Sequence, residues 1–225
     1  VSTRSAPSAG SGDAATAIRI RDAAIDRFGR DGFSVGLRAI AEDAAVSPGL
    51  VVHYFGSKKG LRRACDERVR EVIVTEKRAA ATDGTAAGLL AQLADVERFA
   101  PVVLYVVRTL REGGDLAADL FEDMVEDATR YLEAGVEAGV VRPSRDPAAR
   151  ARVMAYQAMG GMLMWLTTHP EHADPASFGK ALRAYMEEVT VPMLEVFTEG
   201  LYTDRSLLEE YLLYVPDPPR DRSRD

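Results

Sequence analysis

Apolar residues recur with helical spacing along most of the chain, and the stretches between them carry turn chemistry. Ile20, Ala23, Ala24 and Phe28 share one face of a first helix, with Arg27 on the same spacing, and Gly32 after Arg30 offers a left-handed stop. Leu37, Ile40, Ala41 and Ala44 then fall at i, i+3, i+4 and i+7, an apolar stripe on a two-turn helix that Gly36 can precede. Small Ala45 and apolar Val46 let the chain turn sharply. Ser47 brings a capping hydroxyl and Pro48 a ring suited to the first helical position, so another short helix starts there. Its inward residues are expected to be Leu50 or Val51, Tyr54 in part, and Phe55, which leaves Gly49, Val52 and His53 facing away from the core. Gly56 and Ser57 end this helix and cap a fourth, predicted from Lys58 to about Ala80, roughly 35 Å long at about 1.5 Å per residue.

Beyond Ala80 the apolar patterns end at Asp83-Gly84, Ala100-Pro101, Gly113-Gly114, Val141-Arg142-Pro143, His169-Pro170 and Asp174-Pro175. Helices are expected over Thr85 to Phe99, Pro101 to Glu112, Leu116 to Ala138, Pro147 to Thr168, Ala176 to Thr198 and Asp204 to Tyr214. No segment alternates strictly enough for a sheet, so the fold is read as all-α, with nine to ten helices. Residues 1–13, rich in Ser, Ala and Gly, and 216–225, rich in Pro, Asp and Arg, read as tails that do not fold alone. Between them lie a head over 14–80 and a body over 81–215, each of ordinary domain size. Arg4 is the one basic side chain of the first tail.

Charge sharpens this division. The formal net charge is −7, yet Thr16 to Ala80 carries thirteen Lys and Arg against nine Asp and Glu, whereas Ala81 to Asp225 carries fourteen against twenty-five. Positive charge gathered at one end of an acidic chain points to a polyanion site. Periodicity alone leaves an ordinary helical hairpin open for Leu37 to Phe55. Two short helices joined by a tight turn also make the helix-turn-helix unit, whose second helix enters the major groove by its N-terminal end. Ser57, Lys58 and Lys59 at a helix N-terminus suit a phosphate.

These residues resemble a known family. Phe28-Gly29-Arg30-Asp31-Gly32-Phe33, Leu37-Arg38-Ala39-Ile40-Ala41, Ala45-Val46-Ser47 and His53-Tyr54-Phe55-Gly56-Ser57-Lys58 are similar, in order and spacing, to the N-terminal domain of the tetracycline-repressor-like (TetR/AcrR) transcriptional regulators. The likeness covers about sixty residues, Ala14 to Ile73. It implies a three-helix DNA-binding head followed by a helical ligand-binding and dimerisation body. By position, Arg38 is implied to reach a base edge or phosphate, and Ser47, Pro48 and Gly49 to open the recognition helix close to the bases. Val52 stands where many relatives carry tyrosine, which leaves an apolar touch to a thymine methyl. His53 and Tyr54 match the family's paired phosphate-contacting rings, although Tyr54 stands where histidine is commoner, and Lys58 matches a phosphate-binding lysine.

The most apolar stretch, Val153 to Leu166, has fourteen residues and a Gln, too short for a membrane span of about 20 residues. It reads either as a core helix or as a subunit contact in which Ala155, Ala158, Gly160 and Gly161 let another helix come close. The resemblance implies homodimerisation through 147–168 and 176–198 as a four-helix bundle, so that two heads read a pseudo-palindromic operator on double-stranded DNA. A small-molecule effector is implied as well. Tyr105, Phe121, Met124, Tyr131, Met162 and Trp165 are candidates to line its pocket, with helix core as the alternative for each. The acidic run Glu122, Asp123, Glu126 and Asp127 reads as a solvated helix face or as a site for a cationic ligand.

Catalysis has little to work with. Three histidines (His53, His169, His172) and the single Cys65 fall into no nucleophile, CxxC or phosphate-loop spacing, so no enzyme and no cofactor are expected. His169-Pro170-Glu171-His172 offers two metal-capable side chains without further obvious ligands and reads as a surface turn. A lone cysteine in a chain without a visible signal peptide suits a reducing cytoplasm. The excess of Arg, twenty-four to four Lys, reads as genomic composition. Two functions follow: a ligand-responsive dimeric transcription factor, most often a repressor, or a helical binding protein of the same fold without an operator site.

Overall fold

A computed structural model describes residues 9–172 and 174–214; Arg4 and the expected tail 216–225 lie outside the described residues. The described residues form ten α-helices and no strand: α1 (Ala9–Asp31), α2 (Leu37–Asp43), α3 (Pro48–Phe55), α4 (Lys58–Asp83), α5 (Ala86–Ala94), α6 (Ala100–Glu112), α7 (Asp115–Glu137), α8 (Pro147–Thr168), α9 (Phe178–Thr198) and α10 (Ser206–Leu212). Residues 9–13, expected in a tail, form the first turn of α1. Asp13 is useful there, because its carboxylate accepts from the Tyr54 hydroxyl at 3.0 Å and so ties α1 to α3.

Two of the expected body helices are interrupted. The stretch from Thr85 is broken at Asp95 and resumes as a 3-10 turn, Val96–Phe99, which re-aims the chain so that Val96 enters the core. A second 3-10 turn, Pro175–Ser177, capped by the Asp174 carboxylate at the Ala176 N–H, delays α9 to Phe178.

Packing joins what the charge pattern divides. One buried cluster contains Ile20, Phe28, Ile40, Val51 and Leu61 of the head together with Tyr105 of α6, so head and body share a core. Phe33 stands 5.2 Å from Phe28 and edge-on to Tyr105 at 5.3 Å. Gly29 sits against Leu104 and the Tyr105 backbone, where an added Cβ would come within 3.3 Å of both. The Arg108 guanidinium then donates to the Gly29 and Arg30 carbonyls, 3.4 and 2.9 Å away, satisfying acceptors left free at the α1 C-terminus. A second cluster packs α6, α8 and α9 around Trp165, Phe178 and Tyr185. A third packs α7 on α8 around Leu132 and Ala151.

The turn between α2 and α3 holds Ala45 at φ +51°, among the described residues the one non-glycine in the left-handed region. An L side chain there costs about 1–2 kcal/mol. Replacing Ala45 by Gly is therefore expected to stabilise the fold by about 0.5–1 kcal/mol, once the greater flexibility of glycine in the unfolded chain is subtracted. Denaturant unfolding of the two proteins side by side measures it.

Candidate nucleic-acid interface

The head presents two helix N-termini capped by serine. Ser47 Oγ accepts from the Leu50 N–H at 3.3 Å with Pro48 in the first turn of α3, and Ser57 Oγ accepts from the Gly60 N–H at 3.1 Å at the start of α4. At each end other N–H groups remain for an anion. Within α3 the sequence left the inward residue as Leu50 or Val51. Val51 is the fully buried one, at 1% exposure, while its neighbour Val52 is 45% exposed and Leu50 half-buried. That rotation turns Ser47, Pro48, Gly49, Val52 and His53 outward, all of them exposed, as is Arg38 on α2. A Cβ on Gly49 would meet nothing nearer than Ser47 Oγ at 3.9 Å, so the protein itself makes no demand for glycine there.

Tyr54 faces partly inward, as its place on α3 predicts, and carries a bond that the sequence did not show. Its ring is half-buried against the first core cluster, and its hydroxyl proton is engaged by Asp13; burial, with Asp13 adding to it, raises its pKa. A hydroxyl that donates to a carboxylate has no second proton for a phosphate. The departure from the commoner histidine thus has a structural use, the α1–α3 tie. Lys58, half-buried at the start of α4, keeps an ammonium that forms no ion pair among the described residues.

What holds the interface in shape was not visible in the sequence. Arg27 grips Asp43 through two hydrogen bonds of 2.6 and 2.5 Å and also reaches Asp31 at 2.9 Å, which binds α1 to the end of α2. This guanidinium holds the Asp43 carboxyl below the usual carboxylate range. Arg19 donates to the Ala44 carbonyl at 2.9 Å, bracing the turn itself. Only the order of residues along the chain was readable, and pairs separated by sixteen or twenty-five residues leave no spacing signal.

Below the head, a groove of about 690 Å³ runs between α4 and α7, with Lys58, Arg62 and Asp66 on one wall and Asp119 and Asp123 on the other. The Arg62 guanidinium lies 3.5 Å over the Phe33 ring. Asp66 accepts from the Tyr105 hydroxyl at 2.5 Å, and burial raises its pKa.

The six residues expected to line an effector pocket do not converge. Tyr105 has no exposed surface and belongs to the head–body core, against which Met124 also packs. Met162 and Trp165 lie in the second cluster, where the Trp165 indole N–H donates to Glu188 at 2.7 Å. Phe121 and Tyr131 pack on the third, with Phe121 stacked on Tyr156 at 4.8 Å. None of the six lines the groove beside α4 or a second cavity of about 460 Å³ between α1, α4 and α6. They fill three separate packing clusters, two residues in each, because aromatic and methionine side chains at helical spacing serve helix packing first.

The acidic run on α7 is neither a bare solvated face nor an open cation site. Arg70 of α4 pairs with Asp123 at 3.0 Å and Asp127 at 3.2 Å, Arg130 with Glu126 at 2.8 Å and with buried Asp127, and Arg152 of α8 with Glu122 at 2.6 Å. Within the small-residue set on α8, Ala155 is buried and Gly161 faces α9, where a Cβ would stand 2.8 Å from Tyr185 Oη. Gly160 faces open space, since one residue is a 100° turn of the helix. His169 and His172 stack on Trp165 at 4.5 and 5.0 Å. Cys65 is buried, and burial raises the pKa of its thiol, which keeps it inert.

A three-helix head with an exposed recognition helix, set on an all-helical body, defines a helix-turn-helix transcriptional regulator. Residues 20–65 match the family model described as bacterial regulatory proteins, tetR family, and residues 97–203 match the tetracyclin repressor-like C-terminal domain. The chain is 49% identical over 202 residues to the HTH-type transcriptional regulatory protein RaaS of Mycobacterium tuberculosis, an alignment covering 90% of this chain and 94% of the relative. It belongs to the TetR family of bacterial transcriptional regulators. Its fold is shared with SmeT, the repressor of the Stenotrophomonas maltophilia multidrug efflux pump SmeDEF (TM-score 0.50, 23% identity, 78% of this chain and 91% of that one). It is shared too with the Bacillus subtilis regulator FadR in complex with stearoyl-CoA (TM-score 0.53, 14% identity, 82% and 99%).

The Tyr105–Asp66 bond yields a test of the head–body joint. Tyr105→Phe is expected to lower stability at neutral pH by about 1–3 kcal/mol, leaving a half-buried carboxylate without this donor. Asp66 has a folded pKa above its unfolded one, so the penalty is full at neutral pH and is relieved as pH falls toward the unfolded carboxylate range near 4. Unfolding curves of both proteins at a series of pH values should converge on the acid side.

Proposed function

We propose that this protein is a dimeric, effector-responsive repressor that reads a pseudo-palindromic operator through α3. The observation that carries the reading is the pair of serine-capped helix N-termini, α3 and α4, with Ser47, Pro48, Gly49, Val52 and His53 exposed and Lys58 beside them without an ion pair among the described residues. Glycine at position 49 is then explained by DNA, which needs the backbone close. Two such heads about 34–36 Å apart would enter successive major grooves. The dimer is assigned to α8 and α9. Val153, Tyr156, Gly160 and Met164 form an exposed stripe along α8, three of them large apolar residues and the fourth open to close approach.

Release follows from the shared core. An effector that binds better when α6 is displaced would carry Tyr105 and Arg108 with it, and those residues hold α1 and α4 of the head. Such an effector shifts the population only by its preference for the displaced state. The relatives SmeT, a repressor of a drug efflux pump, and FadR, seen with stearoyl-CoA, make efflux or acyl metabolism the first places to look for its target genes.

Fluorescence anisotropy against promoter DNA beside its own gene tests the reading. Lys58→Ala is expected to weaken binding at every sequence and to flatten the slope of log K against log salt by about one unit. Gly49→Ala should leave the melting temperature unchanged or slightly raised while weakening operator binding about tenfold or more, because the methyl group fits the protein and not the groove. Salt-independent binding, or no binding, would favour the alternative of a helical binding protein without an operator site.

A further inference from the structure

Arg62 carries a guanidinium that the protein leaves without an acceptor. It forms no hydrogen bond or ion pair among the described residues, and its Nε is buried unpartnered. The Phe33 ring, 3.5 Å away, offers it only a π face. Folded proteins keep few buried donors unmade, because each has lost its water and gained nothing in exchange. Arg62 lines the groove of about 690 Å³ between α4 and α7.

The lining of that groove sorts by chemistry along α4. Lys58, Lys59 and Arg63 join Arg62 in the first two turns, and none of the four forms an ion pair among the described residues. Lys58 with Arg62 and Lys59 with Arg63 stand four residues apart, so two like-charged pairs repel along one side of the helix. An anion relieves both. Phe28 and Phe33 of the head and Leu116 and Leu120 of α7 add an apolar lining that a bare inorganic ion would leave uncovered. Farther along, Asp123 is matched by Arg70 at 3.0 Å and Asp66 holds the Tyr105 hydroxyl. Asp119 of α7 has no cation beside it among the described residues, so negative charge is favoured at the Arg62 end alone.

We propose that this groove binds an amphipathic organic anion, with its charged group at the Arg62 and Lys58 end and its apolar part against Phe33 and Leu120. The proposal rests on the effector-responsive reading above and adds a ligand class and a place for it at the head–body joint. Lys58 then serves either the ligand or an operator phosphate, so each weakens binding of the other by the same factor.

Anilinonaphthalene sulfonate, an anion on an aromatic body whose fluorescence rises out of water, is the probe, and phenylnaphthylamine is its uncharged counterpart. Arg62→Gln is expected to weaken the anionic probe at least tenfold. Asp119→Asn, at an exposed position, should tighten it about threefold by removing a like charge from the opposite wall. Neither change should move the uncharged probe. A gain of affinity in Asp119→Asn is not a result that a damaged fold produces, so it decides the case if Arg62→Gln melts early. Anionic-probe affinity that is equal in all three proteins overturns the site. So does an Arg62→Gln protein that loses operator affinity and keeps the probe, since Arg62 is then a DNA contact. With promoter DNA present, saturating anionic probe should weaken operator binding, and the uncharged probe should not; equal operator affinity with and without the anionic probe overturns the competition. A chain that binds no operator at all overturns the repressor reading, while the two fluorescence titrations, which need no DNA, still decide the groove.

Discussion

The aromatic contact between the end of α1 and α6 is the constraint on which the rest depends. Phe28, Phe33 and Tyr105 meet in one buried cluster, and the Tyr105 hydroxyl is bonded to Asp66 of α4. Close-packed interiors transmit displacement because no void absorbs it. A DNA-reading head joined to its body by a flexible linker would bind DNA regardless of what the body bound. Here the head cannot tilt without repacking around Tyr105, and that coupling is what a regulator requires.

Arginine does much of the joining between helices. Arg27 ties α1 to α2, Arg70 ties α4 to α7, Arg108 ties α6 to α1, and Arg152 ties α8 to α7. A planar fork with five donors can hold a carboxylate by two parallel bonds, a two-point match that the compact ammonium of lysine lacks. Arg70 with buried Asp127 is the clearest case, a charge taken out of water and met by the guanidinia of Arg70 and Arg130 together. The excess of arginine over lysine, which composition alone gave no reason to value, therefore has structural work at these four joints.

Much of the candidate site was legible because it is local. Helix capping by Ser47 and Ser57, the outward turn of Val52 and His53, and the inward stripe of α2 all depend on residues within one or two turns of each other. The bond from Tyr54 to Asp13 was not legible for the opposite reason: its partner lies forty-one residues away, in a stretch whose composition looked like a tail. The effector candidates failed to gather for a related cause. Tyr105, Tyr131 and Trp165 have the same pattern as pocket residues, and which helix each one meets is decided by packing.

The amino-acid order by itself determined the all-helical class, the break points of most helices, the helix-turn-helix unit and the family, since short-range periodicity, caps and motif spacing are properties of neighbouring residues. Only the tertiary structure decided that head and body share a core, that the acidic run of α7 is matched by arginines from α4 and α8, and that α9 leaves the body at Val189. Those outcomes depend on which helix faces meet across tens of residues of chain. Contact free energy, summed over the whole fold, selects them.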